Sequence, residues 1–318
     1  MQIVPTNTTK IRFSKIKKHY HEFSKQKQLQ IMVIPGIIFL LIFSYVPMYG
    51  IIMAFQNYQI GDTVGLSQWV GFDNFIAFFK DPNFFMVMRN SIGISMLKLI
   101  IGFPAPIILA IIMNEVKGKF FTKFAQTASY LPHFISWVAV YGIVYEFPSI
   151  DAGTLNTILS ALHLIKEPIF FLGEPKYFWG ILVASDMWKE VGWSAIIYIA
   201  AITSIDQTMF EAADIDGAGR FSKIWNITLP CIKPTIVILL IFSVSGILNA
   251  GFEQILLMQN PAVSNVSEII DTYVLKIGIS EFRFSFATAI GMFKSVIAIV
   301  LLFTANQISR KVSETSLW

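Results

Sequence analysis

The stretch Ser204-Ile-Asp-Gln-Thr-Met-Phe-Glu-Ala-Ala-Asp-Ile-Asp-Gly-Ala-Gly-Arg-Phe-Ser-Lys-Ile-Trp-Asn-Ile-Thr-Leu-Pro230 is a polar connection set between two long apolar runs. Its spacing predicts a short helix, a break and a second short helix. Ser204 with Gln207 three residues on is a capping-box pattern, and Asp206 and Glu211 lie where negative charge suits the helix dipole. Gly217 and Gly219 can end the first helix, Pro230 is expected to stop the second, and Pro234 suits the start of the next apolar run. Ala212, Ala213, Gly217 and Ala218 keep the surface low, so that a partner could approach the backbone. Phe210, Ala213 and Gly217 follow i, i+3, i+7 and share a face, with Glu211 about 100° round from Phe210. The segment reads as a compact plug with an apolar knob and a carboxylate, or as a solvated acidic turn.

Working outward, the 318 residues are 55% hydrophobic and 14% charged, where a soluble domain has about a quarter charged. Mean hydropathy is +0.63, so the main solvent of this chain is lipid. Segments 31–55, 87–113, 124–147, 178–201, 235–258 and 286–308 each hold the roughly 20 apolar residues that a spanning helix needs. The apolar stretch 155–172 is interrupted by Lys166, Glu167 and Pro168 and reads as a loop with a short helix. The fold class is therefore all-α, a polytopic membrane protein with six transmembrane helices.

Basic residues set the direction of insertion. With the N-terminus in the cytoplasm, fifteen of the 24 Lys and Arg fall on the cytoplasmic side, in segment 1–30, around Lys117–Lys123, at Arg220, Lys223 and Lys233 and at the C-terminus. Six fall outside, and Lys98, Lys189 and Lys294 lie within spans. Both termini are thus expected inside, with loops 56–86, 148–177 and 259–285 outside. The expected organisation is a basic segment 1–30, a first span 31–55, an external loop 56–86, a core domain 87–310 of five spans that holds the 204–230 loop, and a tail 311–318. Residues 1–30 lack the features of a cleaved signal peptide. The alternating basic and apolar residues from Lys10 to Lys18 read as a helix lying on the membrane surface, or as a disordered basic tail.

Several chemistries are not indicated. Cys231 is the only cysteine, so no internal disulfide forms. The net charge of +4 does not point to nucleic acid. His19 and His21 are two apart and would not share a helical face, and His133 and His163 lie elsewhere, so no metal site is expected. No phosphate-binding loop is present, so ATP, if used, binds to another chain.

Charges inside a membrane are costly and usually face a cavity or a partner. Lys98, Asp186, Lys189 and Lys294 lie about 8 to 12 residues from the outer ends of their spans, on the order of 12 to 18 Å deep and near the bilayer middle. Asp186, Lys189, Glu190 and Trp193 follow i, i+3, i+4, i+7 and give the fourth span one polar, aromatic face. Asn249 and Glu253, four apart, do the same for the fifth. Carboxylates and amides hydrogen-bond a polar solute, and an indole face stacks on a flat apolar one. These eight residues are expected to line a translocation path. The alternatives are that Lys189 pairs with Asp186 or Glu190 to join helices, and that Lys98 and Lys294 snorkel to headgroups. Pro35, Pro47, Pro104, Pro106, Pro132 and Pro148 fall in or beside spans, where proline either kinks a packed helix or opens a cavity.

Glu211-Ala212-Ala213, then Gly217, then Ile227-x-Leu229-Pro230 resembles the EAA motif of ABC importer permeases at every spaced position. In that family the loop is a coupling helix that docks in a cleft of an ATPase subunit. The resemblance assigns Glu211, Ala213 and Gly217 to the contact, with Phe210, Ala212 and Asp214 beside them. Tyr45-Val-Pro-Met-Tyr-Gly50, Leu131-Pro-His-Phe-Ile-Ser-Trp137, Trp188-Lys-Glu-Val-Gly-Trp193, Gly251-Phe-Glu-Gln-Ile255 and Glu314-Thr-Ser-Leu-Trp318 are similar to carbohydrate permeases of the lipoprotein-associated branch, which includes alginate and rhamnogalacturonan importers. The resemblance implies a complex with a second, different permease subunit, two ATPase subunits that bind ATP and Mg, and an external solute-binding lipoprotein, embedded in membrane lipid and importing oligosaccharides. No catalysis or cofactor is then expected on this chain. An ABC importer of another solute and an ion-coupled secondary transporter are the competing readings; the latter class often has broken midplane helices.

Overall fold

The computed structural model describes residues 26–116, 118–151 and 153–313. The surface-helix reading of 10–18, the Glu314–Trp318 motif and most of the expected tail lie outside the described residues.

The chain divides after Met53. The first unit holds α1 (Lys27–Leu40), a π turn (Leu41–Tyr45) and most of a 3₁₀ helix (Val46–Phe55). No residue of α1 or its π turn is buried within the protein, as suits a helix solvated by lipid.

The second unit begins with α2 (Asp73–Lys80), which follows a loop pinned by Asn74 Nδ2 donating to the Ala54 and Gln56 carbonyls. A long run follows, made of α3 (Phe84–Leu97), a π turn (Lys98–Gly102) and α4 (Pro104–Glu115). Next come α5 (Lys119–Tyr130), a 3₁₀ turn (Leu131–Phe134), α6 (Trp137–Glu146) and α7 (Thr154–Ala161). Then α8 (Pro175–Thr203) runs unbroken for 29 residues. The connection holds α9 (Gln207–Ile215) and α10 (Arg220–Lys223), and a π turn (Ile224–Thr228) leads into α11 (Leu229–Ser245). After α12 (Phe252–Met258) come the short α13 (Ser264–Ser267) and α14 (Ile270–Leu275), a π turn (Lys276–Ser280) and finally α15 (Phe284–Ser313). No strand occurs among the described residues.

Four helical runs, Lys27–Phe55, Phe84–Glu115, Arg220–Ser245 and Phe284–Lys311, are long and apolar enough to cross a membrane, where the sequence predicts six spans. The other two predicted spans, and part of a third, differ for physical reasons. Segment 178–201 lies within α8, long enough but too charged to count as apolar. Segment 124–147 is broken at Leu131–Ser136, where Pro132 enters a 3₁₀ turn and Ser136 starts α6 as its N-cap, its Oγ accepting from Ala139 N–H at 3.4 Å. Segment 235–258 is broken between Ser245 and Phe252, with Gly251 at φ +101°, a backbone region that favours glycine.

The expected loop 259–285 is also built into the core. Ile269 and Ile270 are fully buried. Trp179 Nε1 donates to the Val266 carbonyl at 2.7 Å, Asn90 Nδ2 to the Glu268 carbonyl at 3.0 Å, and Ile270 N–H to Ser91 Oγ at 2.8 Å. Each bond ties the segment to α3 or α8 and satisfies a polar group that would otherwise be buried without a partner.

Among the described residues, three of the four π turns precede a proline by the same distance. The turns Leu41–Tyr45, Lys98–Gly102 and Ile224–Thr228 end two residues before Pro47, Pro104 and Pro230. Proline lacks an N–H and its ring crowds the carbonyl four residues back. That carbonyl belongs to Phe43, Ile100 or Asn226, in the middle of each π turn. Widening the helix there accommodates the ring without ending the helix. Pro230 therefore does not stop a short helix; the run continues into α11 with Pro234 inside it.

α8 packs against α4, and α11 against α15. The tightest approach is at Gly192 of α8, where an added Cβ would fall 2.0 Å from the Ser129 carbonyl oxygen of α5. That obstacle is backbone and cannot rotate away. Gly192→Ala is expected to lower the thermal midpoint of the detergent-solubilised protein, at an overpacking cost of about 1–3 kcal/mol. Gly180→Ala, on the same helix with no atom within 4 Å of an added Cβ, is expected to leave the midpoint unchanged.

Candidate functional site

The polar face of α8 meets the two helix breaks. Asp186 Oδ1 pairs with Lys98 Nζ at 2.9 Å, and the same ammonium donates to Gln254 Oε1 at 2.6 Å. Gln254 in turn donates through Nε2 to the Leu182 carbonyl and to Ser185 Oγ, both at 2.8 Å. One ammonium thus joins the π turn after α3, the middle of α8 and the start of α12. Gly251 is required here twice, since its φ is positive and an added Cβ would stand 2.6 Å from Lys98 Nζ.

One turn further along α8, Lys189 is buried, 5% exposed, and donates to the His133 carbonyl at 2.6 Å. That carbonyl lies in the break after α5. Lys189 also pairs with Glu190 Oε1 at 3.2 Å, and Glu190 Oε2 lies 2.7 Å from His133 Nδ1. A carboxylate oxygen accepts, so Nδ1 carries the proton. The His133 ring stacks on Trp193 with centroids 4.4 Å apart and planes 2° from parallel, and Phe134 meets the same indole edge-on at 5.6 Å. Trp193 is held on one face and remains 44% exposed.

These groups border a cavity of about 660 Å³ between α3, α4, α8 and the α11 break. Of the eight path residues predicted from sequence, Lys98, Asp186, Glu190, Trp193 and Asn249 line it. Lys189 lies behind the wall and holds it together, the helix-joining alternative. Glu253 is exposed and not among the lining residues. Lys294 pairs with Asp271 at 2.6 Å, joining α15 to α14 away from the cavity. The phase argument for Asn249 and Glu253 assumes one continuous helix; the break at Gly246–Gly251 resets the phase and turns Gln254 inward instead. Ser95 also lines the cavity, while Gln254 and His133 hold its wall from behind, and the sequence reading assigns none of the three to the site. A signal for Gln254 is present, as the only polar side chain between Glu253 and Met258.

At the far end of α8 the chain enters the 204–230 connection. Asp206, not Ser204, caps α9, its Oδ1 accepting from Thr208 N–H at 3.0 Å. That bond holds the Asp206 carboxyl below the usual carboxylate range. Ser204 Oγ instead donates back to the Ala201 carbonyl. Gly217, at φ +74°, closes α9 in a Schellman arrangement, with Ala218 N–H donating to the Ala213 carbonyl and Gly217 N–H to Asp214. No atom lies within 4 Å of a Cβ placed on Gly217, so the backbone conformation alone calls for glycine. Lys223 of α10 pairs with Asp214 of α9, closing the turn. Gly219 has negative φ and starts α10.

Phe210 does not stand out as a knob. It is half-buried and packs on the cluster of Ile202, Ile205, Tyr198 and Ile232. Glu211, Ala212, Asp214 and Gly217 are exposed and Ala213 is half-buried. The exposed large apolar groups of this connection are Met209, Ile215, Phe221 and Trp225.

Residues 102–314 match the family described as binding-protein-dependent transport system inner membrane component. The chain belongs to that family. It is 42% identical over 294 residues to Protein LplB of Bacillus subtilis strain 168, covering 92% of each chain. It is also 42% identical to YteP of the same organism, a polygalacturonan/rhamnogalacturonan transport system permease protein, covering 92% of this chain and 91% of YteP. A crystal structure of a bacterial ABC transporter involved in import of the acidic polysaccharide alginate superposes with a TM-score of 0.85 at 40% identity, covering 93% of this chain and 99% of the matched chain. A bacterial alginate ABC transporter has also been solved in complex with an alginate pentasaccharide-bound periplasmic protein. The relatives are permease subunits of carbohydrate importers, and the permease fold is theirs.

Removing one partner of a largely buried ion pair strands the other. Lys98→Met is expected to destabilise the solubilised protein by about 3 kcal/mol, and Lys98→Met with Asp186→Leu to recover only part of that loss, because the buried Gln254 amide oxygen stays unpaired. Thermal unfolding of the single and double variants measures the difference.

Proposed function

We propose that this chain is the membrane-spanning permease subunit of an ATP-driven, binding-protein-dependent importer of oligosaccharides. The observation that carries the reading is a continuity: α8 borders the cavity at Asp186, Glu190 and Trp193 and leads directly into α9, with the exposed Glu211 and, just past its end, the exposed Gly217. In this reading the cavity is one wall of the translocation path. The 204–230 loop docks in a cleft of an ATPase subunit, with Glu211 meeting a basic residue there and Ala213 and Gly217 allowing close approach. Ala212 and Asp214 border that contact, and Phe210 anchors the loop from within.

The complex contains a second, different permease, two ATPase subunits that bind ATP and Mg, and an external solute-binding lipoprotein. Six spans cross the cytoplasmic membrane with both termini inside, the broken third and fifth lining the path. Closure of the ATPase pair on ATP moves the loop as a rigid body and switches the cavity from inward- to outward-facing. Support comes from the family, from relatives whose names refer to polysaccharide transport, and from the apolar and hydrogen-bonding mix of the cavity wall.

The test is uptake in proteoliposomes holding the whole complex and its binding protein. Glu211→Ala, which removes one side of a buried charge contact, is expected to cut ATP-driven uptake by about tenfold or more while the amount of Glu211→Ala chain in the membrane stays normal. Uptake that persists without ATP and follows an ion gradient would overturn the assignment.

A further inference from the structure

Side chains stand about 100° apart round a helix, and on α2 they sort into three faces about a third of a turn from one another. Asn74 and Phe78 form the first. Phe78 is buried, with ring contacts to Phe84, Phe286 and Phe293. Asp73, Ala77 and Lys80 follow i, i+4, i+7 and form the second, an exposed stripe that suits water. Phe72, Ile76 and Phe79, again i, i+4, i+7, form the third, and they are 67%, 47% and 51% exposed. A helix that needed only core and water would not carry a separate stripe of large apolar groups.

The helix cannot roll to hide that stripe. At its start Asn74 Nδ2 donates to the Ala54 and Gln56 carbonyls, and just past its end Asp81 Oδ2 accepts from the Tyr273 hydroxyl at 2.8 Å. The two anchors sit on different parts of the chain and fix the angle of α2 about its axis.

The stripe runs on into a surface that crosses the membrane. Phe79 meets Phe293 of α15 edge-on, with centroids 5.4 Å apart. From Phe293 the positions i+3, i+7 and i+10 on α15 are Val296, Val300 and Phe303, all exposed, within a run apolar enough to span a bilayer. Depth agrees with this. Phe293 is seven residues inside the expected span 286–308, about 10 Å below its start. A helix lying in the membrane surface sinks its apolar face about 5–10 Å into the boundary of headgroups and acyl chains. The third face of α2 therefore stands at the level of lipid rather than above it. Trp69, exposed in the loop just before α2, is of the residue type that gathers at that boundary.

We infer that α2 is an interfacial helix whose partner is the lipid surface itself. Phe72, Ile76 and Phe79 sit among the outermost acyl-chain carbons, and Asp73, Ala77 and Lys80 stay in water. The side of the membrane, the external one, is taken from the proposed topology.

The experiment uses the assembled complex in lipid nanodiscs, in a Cys231→Ser background because Cys231 is exposed. Ile76→Cys, Phe72→Cys and Ala77→Cys are each labelled with an environment-sensitive fluorophore. Lipid spin-labelled near the headgroup end of its acyl chain is expected to quench the labels of Ile76→Cys and Phe72→Cys about threefold more than that of Ala77→Cys, with iodide in the water giving the opposite order. Labels of Ile76→Cys and Phe72→Cys that neither quencher reaches would show a protein subunit covering the face. Labels that iodide alone reaches would show it standing in water. Either result, or equal lipid quenching of the two stripes, overturns the inference. The side is tested separately with a membrane-impermeant maleimide on intact cells, which is expected to react with Ala77→Cys. Reaction only after the cells are opened overturns the topology and leaves the lipid contact standing.

Discussion

Within the bilayer, a broken helix survives only if something other than water satisfies the backbone and side-chain groups it frees. In this chain two lysines of the spanning region meet that requirement. Lys189 donates to the His133 carbonyl in the break after α5, and Lys98 bonds Gln254 at the start of α12, just past the break after α11. Both reach α8, one as its own residue and one through Asp186. The cavity exists because the breaks exist, and the breaks are held by these two ammonium groups. Replacing Lys98 with an apolar residue would strand the Asp186 carboxylate and the Gln254 amide oxygen, and replacing Lys189 would strand the His133 carbonyl and leave Glu190 with His133 alone.

Prolines shape the same region by a different route. Pro104 widens the helix into the π turn that begins at Lys98, and the wider turn places that lysine beside α12. Pro230 does the same below α11 and lets a continuous helix run from α10 through the membrane. A proline that ended the helix would uncouple the loop from the span; one that widens it keeps the two mechanically joined while changing the direction of the turn.

Much of this is legible in the residues. The apolar runs, the helical start of the 204–230 loop and the polar face of α8 follow from spacing alone, because length and helical phase are local properties. The interruptions are not legible in that way. Segment 235–258 carries few strongly polar side chains, Asn249, Glu253 and Gln254, and its hydropathy does not distinguish a straight span from a bent one. Gly246 and Gly251 signal the possibility of a break, but the reason for it, the ammonium of Lys98 sitting against Gly251, comes from a residue some 150 positions away. The same is true of Phe210. Its phase with Ala213 and Gly217 can be read from spacing, yet whether that face looks toward a partner or toward the core depends on Ile202 and Ile232, which local periodicity does not place.

The inward turn of Phe210 has a mechanical consequence. A docking loop that pressed an aromatic knob into its partner would be held mainly by the partner and could rock on its own stem. Here the aromatic ring is packed on Tyr198, Ile202 and Ile205 at the end of α8, and the loop is closed on itself by the Schellman turn and the Asp214–Lys223 pair. A force applied at Glu211 is therefore passed to α8. That helix is unbroken over its 29 residues, about 44 Å, in contrast to its neighbours. It ends the transmission at Asp186 and Glu190, whose partners are the two ammonium groups that hold the broken helices. A shift of α8 along its axis by a fraction of a turn would strain the Lys98–Asp186 pair and the contacts of Lys189 and Glu190 with His133 at once, so the loop end of α8 and the cavity wall are constrained to change together.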